Sequence, residues 1–331
     1  MTQTKQSTAL VAISGGLDSI CLAHSLLLGL SRPRNFKPTE PPSNVLDPLV
    51  ADFIQQQSIN KVELAYIDHS QRADTNFDIK AVRTISDKYS TTIHISKIDL
   101  PKDCSEEQAR NLRYLELKRI RLDRGLDYLI TAHHADDVIE TAIINLSRGT
   151  GPKGLSSLRH HKNGTWRPFL INFTQGTFIT KEDLEEYAQE HQLSWHEDST
   201  NNSYLYLRNR IRHRLKEQIS APQKQAILKI LAKAEQTNQE LEEQTKLTLK
   251  TLSLKGNTYK RLLFMELDMD VKRHIIHSLI SDNGYDVNRQ AVQRAVDFIE
   301  TAATKKTLQL KGCDVYISSK ESFQIYPARQ K

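Results

Sequence analysis

The feature that most constrains the fold is a regular alternation of short β-branched runs and helical stretches in the first two hundred residues. The runs have strand length: Ala9–Ser14, Val62–Ile67, Thr92–Ile98 and Tyr128–Thr131. The stretches between and after them have helix length: Asp18–Leu30, Thr75–Tyr89, Ser105–Arg124 and Asp136–Arg148. Strands that alternate with helices form a parallel sheet covered on both faces, so we predict a doubly wound α/β domain.

The pattern changes near Ala221, where we place a domain boundary. Beyond it lie three helical stretches: Pro222–Leu252, Glu266–Ser281 and Arg289–Thr301. Three short alternating runs follow them: Thr307–Leu310, Asp314–Ser318 and Phe323–Tyr326. Helices and strands that are segregated along the chain indicate an α+β arrangement. We therefore predict the α/β domain at residues 1–220 and a smaller C-terminal α+β domain, helical with a small sheet, at residues 221–331.

A proline-rich segment, Ser31–Leu49, interrupts the first domain between its first helix and second strand. It contains five prolines: Pro33, Pro38, Pro41, Pro42 and Pro48. We predict a surface insertion, because the α/β pattern resumes after it. Later in the domain, Thr180 and Asp183 have the spacing of a capping box, which predicts the start of a helix. A further helix is predicted from Tyr204 to about Ile219.

Composition limits the class of protein. The three cysteines, Cys21, Cys104 and Cys313, are far apart, which excludes a disulfide framework and a four-thiolate metal or iron–sulfur site built by this chain alone. No apolar run approaches the roughly 18 residues of a membrane span, and the N-terminus lacks the pattern of a secretory signal. We therefore expect a cytoplasmic protein without membrane contact. The net charge of +6 indicates nucleic-acid binding only if the charge is clustered.

The sharpest local signal is the string Ser14-Gly15-Gly16-Leu17-Asp18-Ser19, which follows the first strand and begins the first helix. Two glycines let the backbone approach a ligand closely, and amides at a helix N-terminus favour an anion such as phosphate. Asp18 suits a Mg²⁺ ion that bridges phosphate oxygens, and it also suits a helix cap. The string does not match the GxxxxGK[ST] pattern of a P-loop. A plain strand-to-helix turn is the alternative.

The second signal is the stretch Thr131–Thr141, Thr-Ala-His-His-Ala-Asp-Asp-Val-Ile-Glu-Thr, after the fourth strand. If the helix begins near Ala135, Asp137 and Glu140 share one face of it. Asp136 in the first turn also suits the helix dipole, so a structural role is open for it. Two histidines and two carboxylates are, in addition, compatible with a zinc site.

Other charged residues lie where they can reach a ligand. Asp68, His69 and Arg72 follow the second strand, and ligands of open α/β sheets bind at the carboxyl ends of strands. The basic residues that suit phosphate or base contact from helices are Arg110, Arg113, Arg148, Arg208 and Arg212. Arg208 and Arg212 share a helix face, with Arg210 and Arg214 nearly opposite, so one pair can meet RNA while the other pairs within the protein. A solvated charged surface is the alternative for each.

The Ser14–Ser19 string resembles the pyrophosphate loop of the PP-loop ATP pyrophosphatases, which have an adenine-nucleotide alpha hydrolase-like fold and split ATP into AMP and pyrophosphate. Alone it leaves GMP synthetase, asparagine synthetase, the thiouridine and thiocytidine synthetases and lysidine synthase open. Further segments are similar to motifs of the tRNA(Ile)-lysidine synthase family: Asp68–Arg72, Ala109–Tyr114, Thr131–Thr141, Asn145–Leu155, Glu197–Asn201 and Tyr206–Arg212. The resemblance covers residues 8–216 in family order, and the tail Leu308–Tyr326 is similar to the small C-terminal domain of that family.

The resemblance implies a ligase that uses ATP and Mg²⁺ and acts on free L-lysine and the CAU anticodon of tRNA(Ile). The wobble cytidine is adenylated, the lysine ε-amine attacks C2, and AMP leaves, which changes decoding from AUG to AUA. The resemblance implies ATP binding by Ser14, Gly15, Gly16, Leu17, Asp18 and Ser19, with Asp18 on Mg²⁺. It implies catalytic roles for Asp137, Glu140, His133 and Arg113. It implies tRNA contacts at Asp68, His69, Arg72, Arg110, Arg148, Arg208 and Arg212, together with tRNA recognition by the C-terminal domain.

Three alternatives compete with this interpretation. Thiocytidine synthetase is the nearest by motif, but it needs cysteines that this chain lacks. A glutamine- or ammonia-dependent synthetase would need an amidotransferase domain with a nucleophilic cysteine, or a separate partner chain. A regulatory module that never turns over would give the carboxylates and the arginine helix no reason to converge with an ATP loop. Gln71 departs from the family, which usually has Leu there, and the proline-rich insertion is longer than expected. A homodimer is compatible with the sequence.

Overall fold

The computed structural model describes residues 6–32, 44–68, 75–101, 104–150, 152–196, 207–282 and 288–328. The chain divides into two compact units, residues 1–236 and 237–331. The helix that begins where the sequence placed the domain boundary is α9 (Ala221–Leu252). The boundary near Ala221 stays a prediction.

The first unit is built on a mostly parallel sheet, which confirms the predicted α/β class. Its strands occur in the spatial order β3 (Ile93–Lys97), β2 (Ile59–Asp68), β1 (Ser7–Ala12), β4 (Tyr128–Ile130), β6 (Thr165–Trp166) and β5 (His161–Lys162). Neighbours from β3 to β6 pair in parallel, and β5 pairs with β6 in antiparallel fashion. The four predicted strands are therefore present, and the β5–β6 hairpin extends the sheet.

Helices precede and follow these strands as the alternation predicts. In chain order they are α1 (Leu17–Ser31), α2 (Leu46–Gln56), α3 (Thr75–Lys88), α4 (Glu106–Asp123), α5 (Ala135–Ser147), α6 (Pro152–Leu155), α7 (Lys181–Glu190) and α8 (Leu207–Gln218). The capping box predicted at Thr180 and Asp183 begins α7. Helix α8 is described from Leu207, and the predicted start at Tyr204 lies outside the described residues.

Both faces of the sheet are covered because alternate side chains of β1 point to opposite sides. Ala9 and Val11 pack in a cluster with residues of α1, α2, α3 and α7, whereas Leu10 packs with Leu117 and Ile120 of α4 on the other face. All three β1 side chains are fully buried. Because β1 is buried on both faces, its sequence is a continuous apolar run and does not alternate between apolar and polar residues.

The sheet topology fixes where a ligand can bind. From β1 the chain moves through β2 to β3 on one side, and then returns to place β4 on the other side of β1. Strand order therefore reverses between β1 and β4, and the loops after these two strands diverge from adjacent carboxyl ends. Open α/β sheets bind ligands in the crevice at such a switch point. The two strongest sequence signals follow these two strands.

The proline-rich segment differs from its prediction at its C-terminal end. Leu46–Gln56 forms helix α2, and Leu46, Leu49 and Phe53 on this helix are buried. Pro48 stands in the first turn, where a missing N–H costs no intrahelical hydrogen bond. The end of the predicted surface insertion is thus part of the core, while residues 33–43 lie outside the described residues.

The second unit contains an antiparallel sheet and helices, as the predicted α+β class requires. The strand order is β7 (Thr258–Lys260), β10 (Ser322–Pro327), β9 (Cys313–Ile317) and β8 (Thr307–Gln309). The helices are α10 (Arg261–Met265), α11 (Met269–Asp282) and α12 (Arg289–Thr301). The three predicted runs form β8, β9 and β10, whereas β7 and α10 were not predicted. Phe264, Ile276, Val296 and Phe323 belong to a core of its own.

Within the described ranges, no helix combines the length and the apolar character needed to cross a lipid bilayer.

Because α2 is buried, truncating a side chain at its start should lower the free energy of unfolding. Leu46→Ala removes a fully buried side chain and should lower the free energy of unfolding by about 2–5 kcal/mol in urea denaturation. Val45→Ala is the matched control, because Val45 is 50% exposed and its truncation should change stability by no more than about 0.5 kcal/mol. Equal small losses at both positions would show that this segment is a surface insertion after all.

Candidate active site

The loop after β1 is a tight turn whose backbone conformation at residue 15 favours glycine. Gly15 has a φ of +85°, and a Cβ placed there would lie 2.8 Å from the Asp78 Cα atom. Ser19 Oγ donates to the Gly16 carbonyl at 2.9 Å and accepts from the Ser14 amide at 3.0 Å. The predicted Ser14–Ser19 string therefore forms a closed loop at the N-terminus of α1.

The loop is held from outside by residues that the sequence did not single out. The His196 amide donates to the Gly15 carbonyl at 3.0 Å. The His196 ring contacts Asp78 Oδ1 through Nδ1 at 2.8 Å, and the Tyr66 hydroxyl donates to Asp78 Oδ2 at 3.2 Å. Asp78 is the acidic residue in the first turn of α3. Its proximity to Gly15 depends on tertiary packing, which no local pattern reports.

His134 joins the two loops at the switch point. Its Nε2 atom lies 3.6 Å from Asp18 Oδ2 and 3.7 Å from Asp137 Oδ2, and its Nδ1 atom lies 3.3 Å from Asp136 Oδ2. Burial alone would lower the pKa of His134, but Asp137 and Asp18 raise it well above its ordinary value. The ring is therefore an imidazolium at neutral pH, surrounded by three carboxylates.

Asp18 is ionised beside this cation. Burial raises the pKa of Asp18, but His134, Lys181 and Arg212 together lower it below its usual value. The Oδ1 atom of Asp18 is buried and has no hydrogen-bond partner within the described chain. The loop thus presents a negatively charged oxygen with unused acceptor capacity toward the switch point.

Asp136 has the structural contacts that its place in the first helical turn suggested. Its Oδ2 atom accepts from the Lys181 amide at 2.9 Å, and its Oδ1 atom forms an ion pair with Lys224 of α9. The pKa of Asp136 lies well below its usual range because His134 and Lys224 outweigh the effect of burial. Asp136 ties α5 to the starts of α7 and α9.

Asp137 lies on the side of α5 that faces the loop. The His134 amide donates to Asp137 Oδ2 at 3.1 Å, and Arg212 Nη2 lies 3.9 Å from Oδ1. Burial raises the pKa of Asp137, but His134 and His133 lower it below its ordinary value. This carboxylate is therefore charged at neutral pH.

Glu140 shares this helix face, as predicted, but both of its oxygens are occupied. Arg212 binds it in bidentate fashion, with Nε 2.7 Å from Oε1 and Nη2 3.1 Å from Oε2. Arg208 Nε lies 3.2 Å from Oε2, and Arg208 Nη2 donates to Thr141 Oγ1 at 3.1 Å. Burial and Asp137 raise the pKa of Glu140, and the two guanidinium groups act in the opposite direction.

These ion pairs differ from the expected partners of α8. The resemblance implies tRNA contacts for Arg208 and Arg212 and a catalytic role for Glu140, whereas in the structure they bind one another. A buried carboxylate needs paired charges, and two arginines one helical turn apart supply them. Arg210 and Arg214, on the other side of α8, are exposed.

His133 is a neutral imidazole that both donates and accepts hydrogen bonds, and arginine side chains lie near it. Arg110 Nη2 contacts His133 Nε2 at 3.2 Å, and Thr131 Oγ1 lies 3.0 Å from Nδ1. Because a guanidinium only donates, Nε2 accepts and the ring proton is on Nδ1. Burial lowers the pKa of His133 well below its ordinary value, and Arg110 and Arg113 lower it further. Both ring nitrogens are thus engaged.

The remaining predicted residues do not all lie at the switch point, because Arg148 follows the C-terminal end of α5 whereas Asp137 lies in its first turn. Asp68 is the last residue of β2, Leu17 is buried, and Arg148 is exposed 3.9 Å from Glu107. His69, Arg72 and the segment 197–206 lie outside the described residues. The zinc alternative for Thr131–Thr141 gains no support, since the described residues contain no group of three or more His, Cys, Asp or Glu able to hold a metal ion.

Comparison with known proteins agrees with this geometry. A family model described as a PP-loop domain matches residues 1–219. This chain belongs to the PP-loop family. The closed loop after β1 and the switch-point position of Asp18 in this PP-loop protein agree with that assignment.

Two relatives confirm the resemblance to lysidine synthases. The chain is 32% identical over 212 residues to a tRNA(Ile)-lysidine synthase of Thermotoga maritima, a match that covers 62% of this chain and 44% of that protein. It is 28% identical over 303 residues to a tRNA(Ile)-lysidine synthase of Nostoc sp., covering 91% of this chain and 77% of that protein. This PP-loop protein thus matches less than half of the Thermotoga protein's length.

Solved structures include a distant neighbour. A U34-tRNA thiolase from Methanococcus maripaludis is similar with a TM-score of 0.49 at 15% identity, over 70% of this chain and 73% of that one.

The loop geometry predicts different tolerance at its two glycines. Gly15→Ala forces a residue with Cβ into a positive φ and against Asp78, so the free energy of unfolding should fall by about 2 kcal/mol or more. Gly16→Ala is the matched control, because its φ is −77° and the nearest atom to the added Cβ is 3.6 Å away. The free energy of unfolding of Gly16→Ala should fall by no more than about 1 kcal/mol. Urea denaturation of both variants checks the contrast, and equal losses would contradict the described turn.

Proposed function

We propose that this PP-loop protein is an AMP- and pyrophosphate-forming tRNA(Ile)-lysidine synthase of the cytoplasm. It would ligate lysine onto C2 of the wobble cytidine in the CAU anticodon of tRNA(Ile), through an adenylated cytidine. The observation that carries the proposal is the joining of the Asp18 loop to Asp137 through the buried His134 cation. The relatives named as lysidine synthases support the choice of substrate.

The nucleotide would bind at the loop after β1. Backbone amides of this loop, at the positive end of the α1 dipole, suit the pyrophosphate part of ATP. The hydroxyls of Ser14 and Ser19, which close the loop in the structure, would turn to the phosphate when it binds. The residues fit a nucleotide-bound Mg²⁺ ion, because Asp18 Oδ1 is a carboxylate oxygen without a hydrogen-bond partner in the described chain. When bound, Mg²⁺ supplies charge neutralisation on the phosphate oxygens.

The first chemical step is activation of the base. The cytosine O2 atom attacks the α-phosphorus of ATP, the bond to the β-phosphate oxygen breaks, and pyrophosphate leaves. Activation is needed because an unmodified carbonyl oxygen is a poor leaving group, whereas AMP is a good one. Arg110 and Arg113 lie near the end of β4, where preorganised donors would stabilise the developing charge, and the neutral His133 would hold Arg110 in place.

The second step is attack by the ε-amine of lysine on C2, with departure of AMP. Asp137 is the carboxylate we assign to this amine. Because its pKa is held low, Asp137 is charged and suits binding and orienting the lysine ammonium. The ammonium would lose its proton to a water molecule before the neutral amine attacks C2. Glu140 would not contact the substrate, because Arg208 and Arg212 occupy its oxygens. It would instead position these two arginines beside Asp137.

The RNA would approach the rim of this site. Asp68 and Arg110 are described residues of the proposed set, and His69 and Arg72 complete it near the strand ends. Arg148 would contact the RNA further away, about 16 Å along α5 from Asp137. Arg208 and Arg212 stay in the proposal as residues beside the reacting base, with their charge balanced by Glu140. The C-terminal domain is proposed to read the tRNA.

A lysine-incorporation assay tests the proposal. The purified protein should attach radiolabelled lysine to bacterial tRNA carrying an unmodified CAU isoleucine anticodon, only with ATP present, and should release AMP and pyrophosphate. Release of ADP and orthophosphate, or ATP-independent incorporation, would overturn it.

The same assay separates two adjacent carboxylates. Asp137→Asn should slow turnover by at least about a hundredfold at saturating ATP and lysine, because a misplaced nucleophile costs on the order of 10²-fold. Asp136→Asn should retain most activity but unfold at lower temperature, because Asp136 holds Lys181 and Lys224. A larger loss of turnover at Asp136 would exchange the two roles.

A further inference from the structure

Arg167 is a buried cation that no motif singled out. It follows β6 at the carboxyl end of the sheet and is only 7% exposed. Its Nη1 atom donates to the Arg159 carbonyl at 2.8 Å, while its Nε atom is buried without a hydrogen-bond partner among the described residues. Buried polar groups are nearly always satisfied, so an orphaned guanidinium nitrogen points to a ligand.

A second orphaned donor accompanies it. The hydroxyl oxygen of Tyr114 on α4 is buried and lies close enough to Arg167 to raise its pKa, but it has no hydrogen-bond partner with good geometry in the described chain. The guanidinium carbon of Arg110 lies 5.1 Å from the centre of the Tyr114 ring, and Arg110 in turn contacts His133. Within the described ranges, neither Arg110 nor Arg167 forms an ion pair with a carboxylate.

These groups form one electropositive cluster. Burial and the nearby charge of Arg110 lower the pKa of Arg167, whereas Tyr114 and Asp137 act in the opposite direction. His133, between them, is neutral and adds no negative charge. Uncompensated buried positive charge is unfavourable unless an anion completes it. The fork of an arginine and a hydroxyl donor match the oxygens of a phosphate group.

We propose that Arg167, Tyr114 and Arg110 form a pocket for one phosphate group of a bound substrate. Its place in the sheet favours a phosphodiester of the RNA over ATP. The pocket lies at the ends of β4 and β6, and β6 is two strands from the loop after β1, or about 10 Å at the usual strand spacing. The choice of RNA rests on the proposed function, whereas the phosphate pocket does not.

Tyr114→Phe tests the pocket without disturbing the fold. It removes a buried hydroxyl that has no partner, so the free energy of unfolding should stay the same or rise. Affinity for tRNA, measured without lysine so that no product forms, should nevertheless fall about tenfold, the usual range for a hydrogen bond to a charged group. Tyr128→Phe is the matched control, since Tyr128 lies at the opposite, amino end of β4. It should change neither quantity.

Arg167 variants provide the second arm. Arg167→Gln should weaken tRNA binding and flatten the dependence of log affinity on log salt by about 0.7, the value for one contact to a single strand. Arg167→Lys keeps the charge, so the slope should stay while the affinity falls. Binding of a non-hydrolysable ATP analogue is measured in parallel without RNA.

The outcomes are distinct. Weaker tRNA binding with unchanged analogue binding by Tyr114→Phe assigns the pocket to an RNA phosphate. Weaker analogue binding with unchanged tRNA binding assigns it to the nucleotide. If Tyr114→Phe changes neither affinity, the pocket is wrong. Because no arm requires turnover, a protein that binds both ligands but forms no lysidine would refute the proposed function and leave the pocket standing.

Discussion

The site depends on a charged imidazole that is held between carboxylates from two loops. His134 begins α5 after β4, and its neighbour Asp18 begins α1 after β1. A buried cation is tolerated only when opposite charges are close, and Asp18, Asp136 and Asp137 provide them. The attraction also keeps these carboxylates ionised against the effect of burial. One ring therefore fixes the relative position of a nucleotide loop and a carboxylate helix.

The rest of the site follows from that fixed position. The reversal of strand order brings the two loops together, and the glycine turn at Gly15 brings the first of them against Asp78. About one turn further along the same face of α5, Glu140 binds Arg208 and Arg212. Negative charge near His134 and positive charge near His133 divide the crevice into two parts. This division suits a reaction in which an ammonium and a phosphate must meet at one base.

The sequence predicted what local patterns encode. The alternation predicted the parallel sheet, the glycine string predicted the turn, and helical spacing placed Asp137 and Glu140 on one face. It missed α2 because the prolines outweighed the apolar spacing of Leu46, Leu49 and Phe53. It also missed His196 beside Gly15 and Arg167 near Tyr114, because these contacts join segments that are far apart in sequence. Likewise, the partner of Arg212 depended on how α8 packs.

The protonation state of His134 tests the account most directly. Nitrogen NMR of the histidine rings, recorded against pH without nucleotide or Mg²⁺, reports each ring separately. We expect His134 to stay an imidazolium well above pH 6.5 and His133 to stay neutral well below it, and we expect Asp18→Asn to lower the pKa of His134. If both rings titrate near 6.5, or if Asp18→Asn leaves His134 unchanged, the charged link between the two loops does not exist.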